Sequence, residues 1–210
     1  DASHELRTPL AALNSSLDLA LKTESYKEGI VSAKEDLQQV LILVERLLEI
    51  ARLEQFIIRP EIIDASALIR DVVERHKPLA AEKGVSIETD MDEAYSIKAD
   101  PSLLRQVLNN LLSNAIKYNK SGGKVTVELR KGKLTVEDTG IGIAKDDMPH
   151  IFDRFYQVDD SRSRGGFGLG LSLVRKIVDV HGWDLVVKST EGEGSRFVIA
   201  FLGTNRPKQP

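Results

Sequence analysis

QVLNNLLSNAIKYN, residues 106–119, repeats apolar side chains at helical spacing while its amides and its lysine keep to a separate line. Leu104, Val107, Leu108, Leu111 and Ala115 make one face of a predicted helix. Gln106, Asn110, Ser113, Asn114 and Lys117 make a second stripe at intervals of three and four. Asp100 followed by Pro101 marks the start of this helix, a capping carboxylate and then a residue suited to the first turn. Downstream, KVTVELRKGKLTVED (124–138) alternates apolar and polar residues on either side of Lys131-Gly132, a hairpin signal. GLSLVRKIVDVHG (170–182) reads as a helix closed by Gly182, and DLVVKS and SRFVIAFL read as strands. Upstream, Asp64 caps a helix that ends near Lys83 and Gly84. Residues 59–204 are therefore predicted to form a mixed α/β layer, with 205–210 a frayed tail.

The first 58 residues follow another pattern. Leu6, Leu10, Leu13, Leu17 and Ala20 are spaced 4,3,4,3, and Ile30, Ala33, Leu37, Val40, Val44, Leu47 and Ala51 continue as a heptad seam that Leu41 and Leu48 widen. The polar stretch KTESYKEG (22–29) separates the two stripes as a link. Two helices cannot cover seams this wide, so the hairpin is predicted to pair with a second copy as a four-helix bundle.

Composition narrows the choices. The 210 residues are 41% hydrophobic and 29% charged with a net charge of −3, which offers no electrostatic footprint for nucleic acid. The absence of cysteine excludes disulfides and thiolate metal sites and suits a reducing compartment. No apolar run approaches the roughly 20 residues needed to cross a bilayer, and no signal peptide is visible. The chain opens at Asp1, already inside a helical pattern, so it is expected to be a fragment whose upstream part is missing.

Four short stretches carry chemistry. On the 106–119 helix, amides at i and i+4 with a lysine one turn later suit a hydrated Mg²⁺ and a phosphate oxygen, a solvated face being the alternative. In EDTGIGI (137–143), Asp138 can accept from an amino group while Gly140 and Gly142 permit a tight turn; a plain strand-to-loop turn is the alternative. GGFGLGLSLV (165–174) places Gly165, Gly166, Gly168 and Gly170 ahead of a helix, a phosphate cradle that is neither a P-loop nor a dinucleotide fingerprint. Between them, IFDRFYQVDDSRSR offers Phe152, Phe155 and Tyr156 for packing and DDSRSR as a lid or a surface loop, with Arg162 and Arg164 able to reach phosphate. At the start, SHELRTPL (3–10) puts His4 off the leucine stripe and Pro9 inside the helix, where a kink is expected because the Glu5 carbonyl loses its donor. A zinc H-E-x-x-H reading fails there, since Thr8 holds the second ligand position.

Taken in order, SHELRTPL, NLLSNAIKY, DTGIGI, IFDRFY and GFGLGL resemble the H, N, first glycine, F and second glycine boxes of the histidine-kinase family of two-component signalling. The resemblance covers essentially the whole chain. It implies an all-α dimerisation and histidine-phosphotransfer hairpin (1–58), pairing as a dimeric four-helix bundle. An α/β sandwich of the Bergerat (GHKL) ATP-binding type would follow (59–204). It further implies that Asn110 and Asn114 hold Mg²⁺, that Lys117 contacts phosphate and that Tyr118 flanks ATP. Asp138 would receive the adenine amino group beside Gly140, Gly142 and Ile143, and Arg164, Gly166, Gly168, Leu169 and Gly170 would border the phosphates. Two departures stand out, Trp183 where a second glycine is usual and Asn119 where Ser or Thr is common.

Gyrase-type and chaperone ATPases of the same fold use a glutamate in this helix to activate water, whereas the corresponding place here is Asn110, and an amide cannot take a proton. A catalytically degenerate ATP-binding scaffold is the other alternative. His76, His150 and His181 each have a structural explanation, His181 as a cation near a helix C-terminus. With its companion boxes the resemblance implies His4 as the nucleophile, with Glu5 accepting its proton and Thr8 orienting a water for regulator dephosphorylation; an exposed helix charge and an ordinary surface threonine are the alternatives for Glu5 and Thr8. The implied partners are a second copy and a response-regulator receiver domain. The implied location is cytoplasmic, with membrane contact only through the missing upstream region.

Overall fold

The computed structural model describes residues 2–23, 26–55, 58–157 and 168–201, with the helix side chains at 2–9, 20, 23, 39, 42, 43 and 45–55 outside that description. The DDSRSR lid, with Arg162, Arg164 and Gly166, and the tail at 205–210 also lie outside the described residues.

Two helices come first, α1 (Ala2–Thr23) and α2 (Tyr26–Gln55). Lys22, Thr23 and residues 26–29 of the expected eight-residue link are helical, because polar residues on an exposed face do not end a helix. Lys22 in the last turn of α1 and Glu28 in the first turn of α2 complement the helix dipoles and favour the extension. Nor does Pro9 interrupt α1, which is one helix through that position; the proline removes a single donor, the partner of the Glu5 carbonyl. Between the helices Ala33 is buried, and the Ser16 hydroxyl donates to Asp36 Oδ2 at 3.0 Å with Ser32 Oγ 3.2 Å away. Other described seam residues are open: Leu10, Leu17 and Leu37 are 45%, 41% and 46% exposed.

The chain divides into two compact units, and α1 and α2 belong to the first. In the second, β1 (Glu61–Asp64) leads into α3 (Ala65–Glu82), whose first turn is capped by the Asp64 carboxylate accepting from Ala67 N–H at 3.0 Å. Then follow β2 (Ser86–Met91), β3 (Ser96–Ala99) and α4 (Pro101–Lys117), with Asp100 accepting from the N–H groups of Ser102 and Leu103. The hairpin of β4 (Lys124–Arg130) and β5 (Lys133–Asp138) turns at Lys131 and Gly132, both at positive φ. The chain ends in α5 (Gly170–His181), β6 (Asp184–Thr190) and β7 (Gly194–Ala200).

The sheet order is β2-β4-β5-β7-β6, with β2 parallel to β4 and every other pair antiparallel; β1 and β3 form a separate antiparallel ribbon. Helix α4 packs against α3 on one side and α5 on the other. Its Leu104, Val107, Leu108, Leu111, Leu112 and Ile116 are buried, as are Val125, Val127, Leu129, Leu134 and Val136 of the sheet. Each such side chain contributes roughly 1.5–3 kcal/mol, so this face fixes where the polar stripe of α4 must point. No helix among the described residues is long and apolar enough to cross a membrane.

The end of α5 corrects one expectation. His181 is not a cation facing solvent: its Nδ1–H donates to the Ile177 carbonyl at 2.8 Å, and its Nε2 accepts from Asp100 N–H at 3.1 Å. Both nitrogens are thus used by the neutral ring, and burial holds its pKa below the ordinary 6.5. Trp183 stacks on it at 4.2 Å and meets Phe201 edge-on at 4.9 Å, which explains an indole where glycine is usual. A depressed histidine pKa stabilises the fold above the unfolded value near 6.5, and this support is lost as pH falls toward the folded value. Urea unfolding of the wild type should therefore weaken more steeply from pH 7 to pH 5 than that of His181→Gln; parallel slopes would show that His181 titrates alike folded and unfolded.

Candidate functional site

The site grows from two chain ends that meet. Helix α4 presents Asn110, Ser113, Asn114 and Lys117 half-buried along one line, and closes at Tyr118, whose N–H donates to the Asn114 carbonyl. Strand β5 ends at Asp138 and enters the turn Thr139–Ile143. The Tyr118 carbonyl accepts from Ile141 N–H at 3.0 Å, which fastens the helix end to the turn. A side chain at 140 would put its Cβ 2.4 Å from that carbonyl, so glycine is required for the approach.

A second tie comes from the β6–β7 turn. Gly142 sits at φ +67, and a Cβ there would lie 2.0 Å from the Thr190 carbonyl. Gly192 N–H donates to the Ile141 carbonyl at 2.7 Å, and Ile143 N–H donates to Ser189 Oγ at 2.8 Å. The glycine-rich turn is thus a rigid seam between two other segments, and not a plain loop.

Asp138 lies at the centre of this seam. Its Oδ1 accepts from Gly140 N–H at 2.8 Å, and the Ser195 backbone also supports the carboxylate. Burial nevertheless dominates, and with the charge of Glu137 it pushes the Asp138 pKa up to about 6. A carboxyl held this way is a strong acceptor awaiting a donor.

On α4, Asn110 donates Nδ2–H to the Gln106 carbonyl at 2.8 Å, which leaves Oδ1 as the atom it offers outward. A Cβ at Gly170, the first residue of α5, would lie 2.8 Å from that oxygen. Lys117 Nζ stands 4.7 Å from the centre of the Tyr118 ring, a cation–π contact that holds both side chains at the helix end.

The structure thus brings together Asn110, Asn114, Lys117, Tyr118, Asp138, Gly140, Gly142, Ile143 and Gly170 in one unit. Gly168 is described separately: at φ +63 its Cβ would lie 2.6 Å from the Tyr156 carbonyl, and its own carbonyl accepts from Phe155 N–H at 3.0 Å, while Leu169 is buried. His4, Glu5 and Thr8 fall in the first turns of α1, with side chains outside the description; Arg164 and Gly166 are outside it entirely. Sequence reasoning missed Ser189, Thr190 and Ser195, which brace the turn from β6 and β7. Only the short S-T-E-G-E-G-S turn between two strands hinted at them.

The comparisons with known proteins agree with this geometry. A family model described as "Histidine kinase-, DNA gyrase B-, and HSP90-like ATPase" matches residues 99–205, which places the second unit among ATP-binding α/β domains. One described as "His Kinase A (phospho-acceptor) domain" matches residues 1–56. Sensor histidine kinase YkoH of Bacillus subtilis (strain 168) is 36% identical over 215 residues, covering 98% of this chain and 47% of that protein. Among solved structures, Acinetobacter baumannii histidine kinase AdeS matches with TM-score 0.73 at 28% identity, over 93% of this chain and 95% of that one. Full-length ShkA in complex with AMPPNP matches with TM-score 0.72 at 31% identity, over 98% of this chain and 45% of that one. The chain belongs to the sensor histidine kinases of two-component signalling. It spans about half the length of the curated relatives it matches, 47% of YkoH and 55% of a second one.

The raised pKa of Asp138 has a measurable sign. The folded state holds this proton more tightly than the unfolded one, so its contribution is favourable below the ordinary 3.8 and is lost as pH rises through about 6. Asp138→Asn should therefore raise stability at pH 8 by about 1–3 kcal/mol relative to its effect at pH 4. Denaturant unfolding at the two pH values measures this, and equal effects would place the carboxyl in a more polar setting.

Proposed function

We propose that this chain is an ATP-dependent protein-histidine kinase that phosphorylates His4 and relays the phosphoryl group to an aspartate of a response regulator. The observation that carries the reading is Asn110. An amide whose N–H is already committed to the Gln106 carbonyl has no lone pair basic enough to activate water. The hydrolytic route of related ATPases lacks its base, and transfer to a positioned side chain is left.

In this reading residues 59–204 bind ATP and residues 1–58 carry the acceptor, with 205–210 a tail. Asp138 accepts from the adenine amino group, and Gly140, Gly142 and Ile143 line its approach. Tyr118 flanks the nucleotide and Lys117 meets phosphate, with Gly168, Leu169, Gly170, Arg164 and Gly166 on the phosphate side. The Asn110 and Asn114 side chains suit Mg²⁺: Asn110 offers a hard oxygen, and Gly170 leaves that oxygen unobstructed. Bound there, the ion would neutralise charge on the phosphates. Because the amides are neutral, the phosphates themselves supply most of the ion's counter-charge.

At His4, one neutral ring nitrogen attacks the γ-phosphorus, the bond to the β,γ-bridging oxygen breaks and ADP departs. The proton on the other ring nitrogen passes to Glu5. The other three histidines have ring nitrogens engaged: His76 Nδ1 with the Val72 carbonyl at 2.9 Å, His150 Nδ1 with Asp153 at 2.9 Å, and His181 at both nitrogens. Only His181 is thereby excluded as a nucleophile; what supports His4 is that it is the one histidine within the residues 1–56 that match the phospho-acceptor model. Thr8, one turn further on α1, would orient a water that dephosphorylates the regulator, and the lost N–H at Pro9 would leave that turn easier to bend.

The exposed seam at Leu10, Leu17, Ile30, Leu37 and Val44 supports pairing with a second copy through the hairpin. We place the chain on the cytoplasmic side. Purified protein with ATP labelled at the γ-phosphate, and Mg²⁺, should acquire acid-labile, alkali-stable label that His4→Gln abolishes; label persisting in that variant assigns another acceptor. Separately, Thr8→Ala should keep autophosphorylation yet lose most regulator dephosphorylation, measured as the lifetime of the phosphorylated receiver. An unchanged lifetime would remove Thr8 from the mechanism.

A further inference from the structure

We propose that Asn119 is a positioning residue that holds the two ends of the nucleotide site at a fixed separation, the Asp138 pocket at one end and Lys117–Tyr118 at the other. This rests on the ATP-binding reading above and adds a residue that touches no ligand in it.

Asn119 follows the last capped residue of α4, and its carboxamide is fully committed. Nδ2 donates to the Ala115 carbonyl at 3.0 Å and to the Lys124 carbonyl at 3.1 Å. Oδ1 accepts from Lys120 N–H at 3.0 Å and from the Thr139 hydroxyl at 3.3 Å. Two donors and two lone pairs are all that an amide has. The direction of the last bond follows from its surroundings. Thr139 Oγ1 accepts from Lys124 N–H at 2.9 Å, and its other possible acceptor, the Lys124 carbonyl, lies 3.4 Å away. That carbonyl already receives Asn119 Nδ2 and Thr139 N–H, the latter at 3.1 Å, so both its lone pairs are filled. The hydroxyl proton goes to Asn119.

Three segments meet at this one side chain: the last turn of α4 through Ala115, the start of β4 through Lys124, and the turn after β5 through Thr139. Thr139 stands between Asp138 and Gly140, so the grip falls on the residue next to the adenine acceptor. A Cβ at 123 would lie 2.0 Å from Asn119 Oδ1, and Gly123 is what leaves the amide its space. Serine or threonine, the usual residues here, would be too short to span from Ala115 to Thr139. An aspartate would set an oxygen against two carbonyls.

A fixed separation matters only to a ligand that touches both ends. Once such a ligand binds at one end, its second contact forms at a high effective concentration, and a loosened joint lowers that concentration. A ligand that touches one end alone is insensitive to it. Titration calorimetry or NMR on the full 210-residue chain should therefore compare ATP with adenosine. Asn119→Ala should weaken ATP about tenfold while changing adenosine by less than about twofold. Thr139→Val, which removes the hydroxyl's bonds to Asn119 and from Lys124 N–H while leaving the other three bonds of the amide, should move ATP in the same direction by a smaller factor, and it carries the test if Asn119→Ala does not fold by thermal melting. Unchanged ATP affinity, or an equal loss for both ligands, overturns the proposal while leaving the ATP reading intact. A wild-type chain that binds neither ligand overturns that reading and the proposal with it.

Discussion

The hydrogen bond from Ile141 N–H to the Tyr118 carbonyl, 3.0 Å long, joins the end of the central helix to the turn after the central strand. Helix α4 lies between α3 and α5, and β5 is the middle of five strands, so each is held by neighbours on both sides. Their buried faces leave neither free to slide or rotate. Where both end, the polar stripe of α4 meets the carboxylate-bearing end of β5. The chemistry of the site is therefore inherited from the packing of the core. Gly140 is part of the same constraint, since any side chain there would push the turn off the helix end.

That constraint has a cost in stability. An isolated strand end would let the Asp138 carboxylate hydrate, whereas here the turn is tied to Tyr118 on one side and to the β6–β7 turn on the other. Two backbone N–H groups remain to support it, and burial outweighs them. A carboxylate this poorly solvated would gain from a ligand's hydrogen-bond donor, because such a donor restores part of the lost hydration. The same protein atoms that weaken the folded state would thus favour a hydrogen-bond donor over an acceptor beside Asp138.

Much of this was legible in the residues. The capping pairs at Asp64 and Asp100, the hairpin at Lys131-Gly132 and the amphipathic stripe of α4 are local signals, and each appears where spacing and turn chemistry put it. What escaped was non-local. The strand β2 carries Ser86, Glu88 and Asp90 on one face and pairs in parallel with β4, which no alternation within six residues reveals. His181 looked like an exposed cation because its partner, Asp100 N–H, lies 81 positions away in sequence. Asn119 looked like a mild departure from a motif, and only the folded chain brings Lys124 and Thr139 to its two ends. The helices α1 and α2 also ran further than the polar stretch between them suggested, since polarity alone does not stop a helix.

The choice between hydrolysis and transfer turns on one functional group. Had position 110 carried a glutamate, its carboxylate in a half-buried setting could have taken a proton from water near the γ-phosphate. Asparagine is one methylene shorter than glutamate and its amide can still offer an oxygen to a cation, yet it removes that route. Its orientation is not free either: the N–H bond to the Gln106 carbonyl turns Oδ1 toward Gly170, where the absence of a side chain keeps the oxygen exposed. In the proposed function, binding would be preserved while hydrolysis is suppressed. A nucleotide held this way would be stable until a nucleophile arrives from elsewhere in the protein, which is the condition a signalling kinase needs. An ATPase with the same fold needs the reverse, a carboxylate where this chain has an amide.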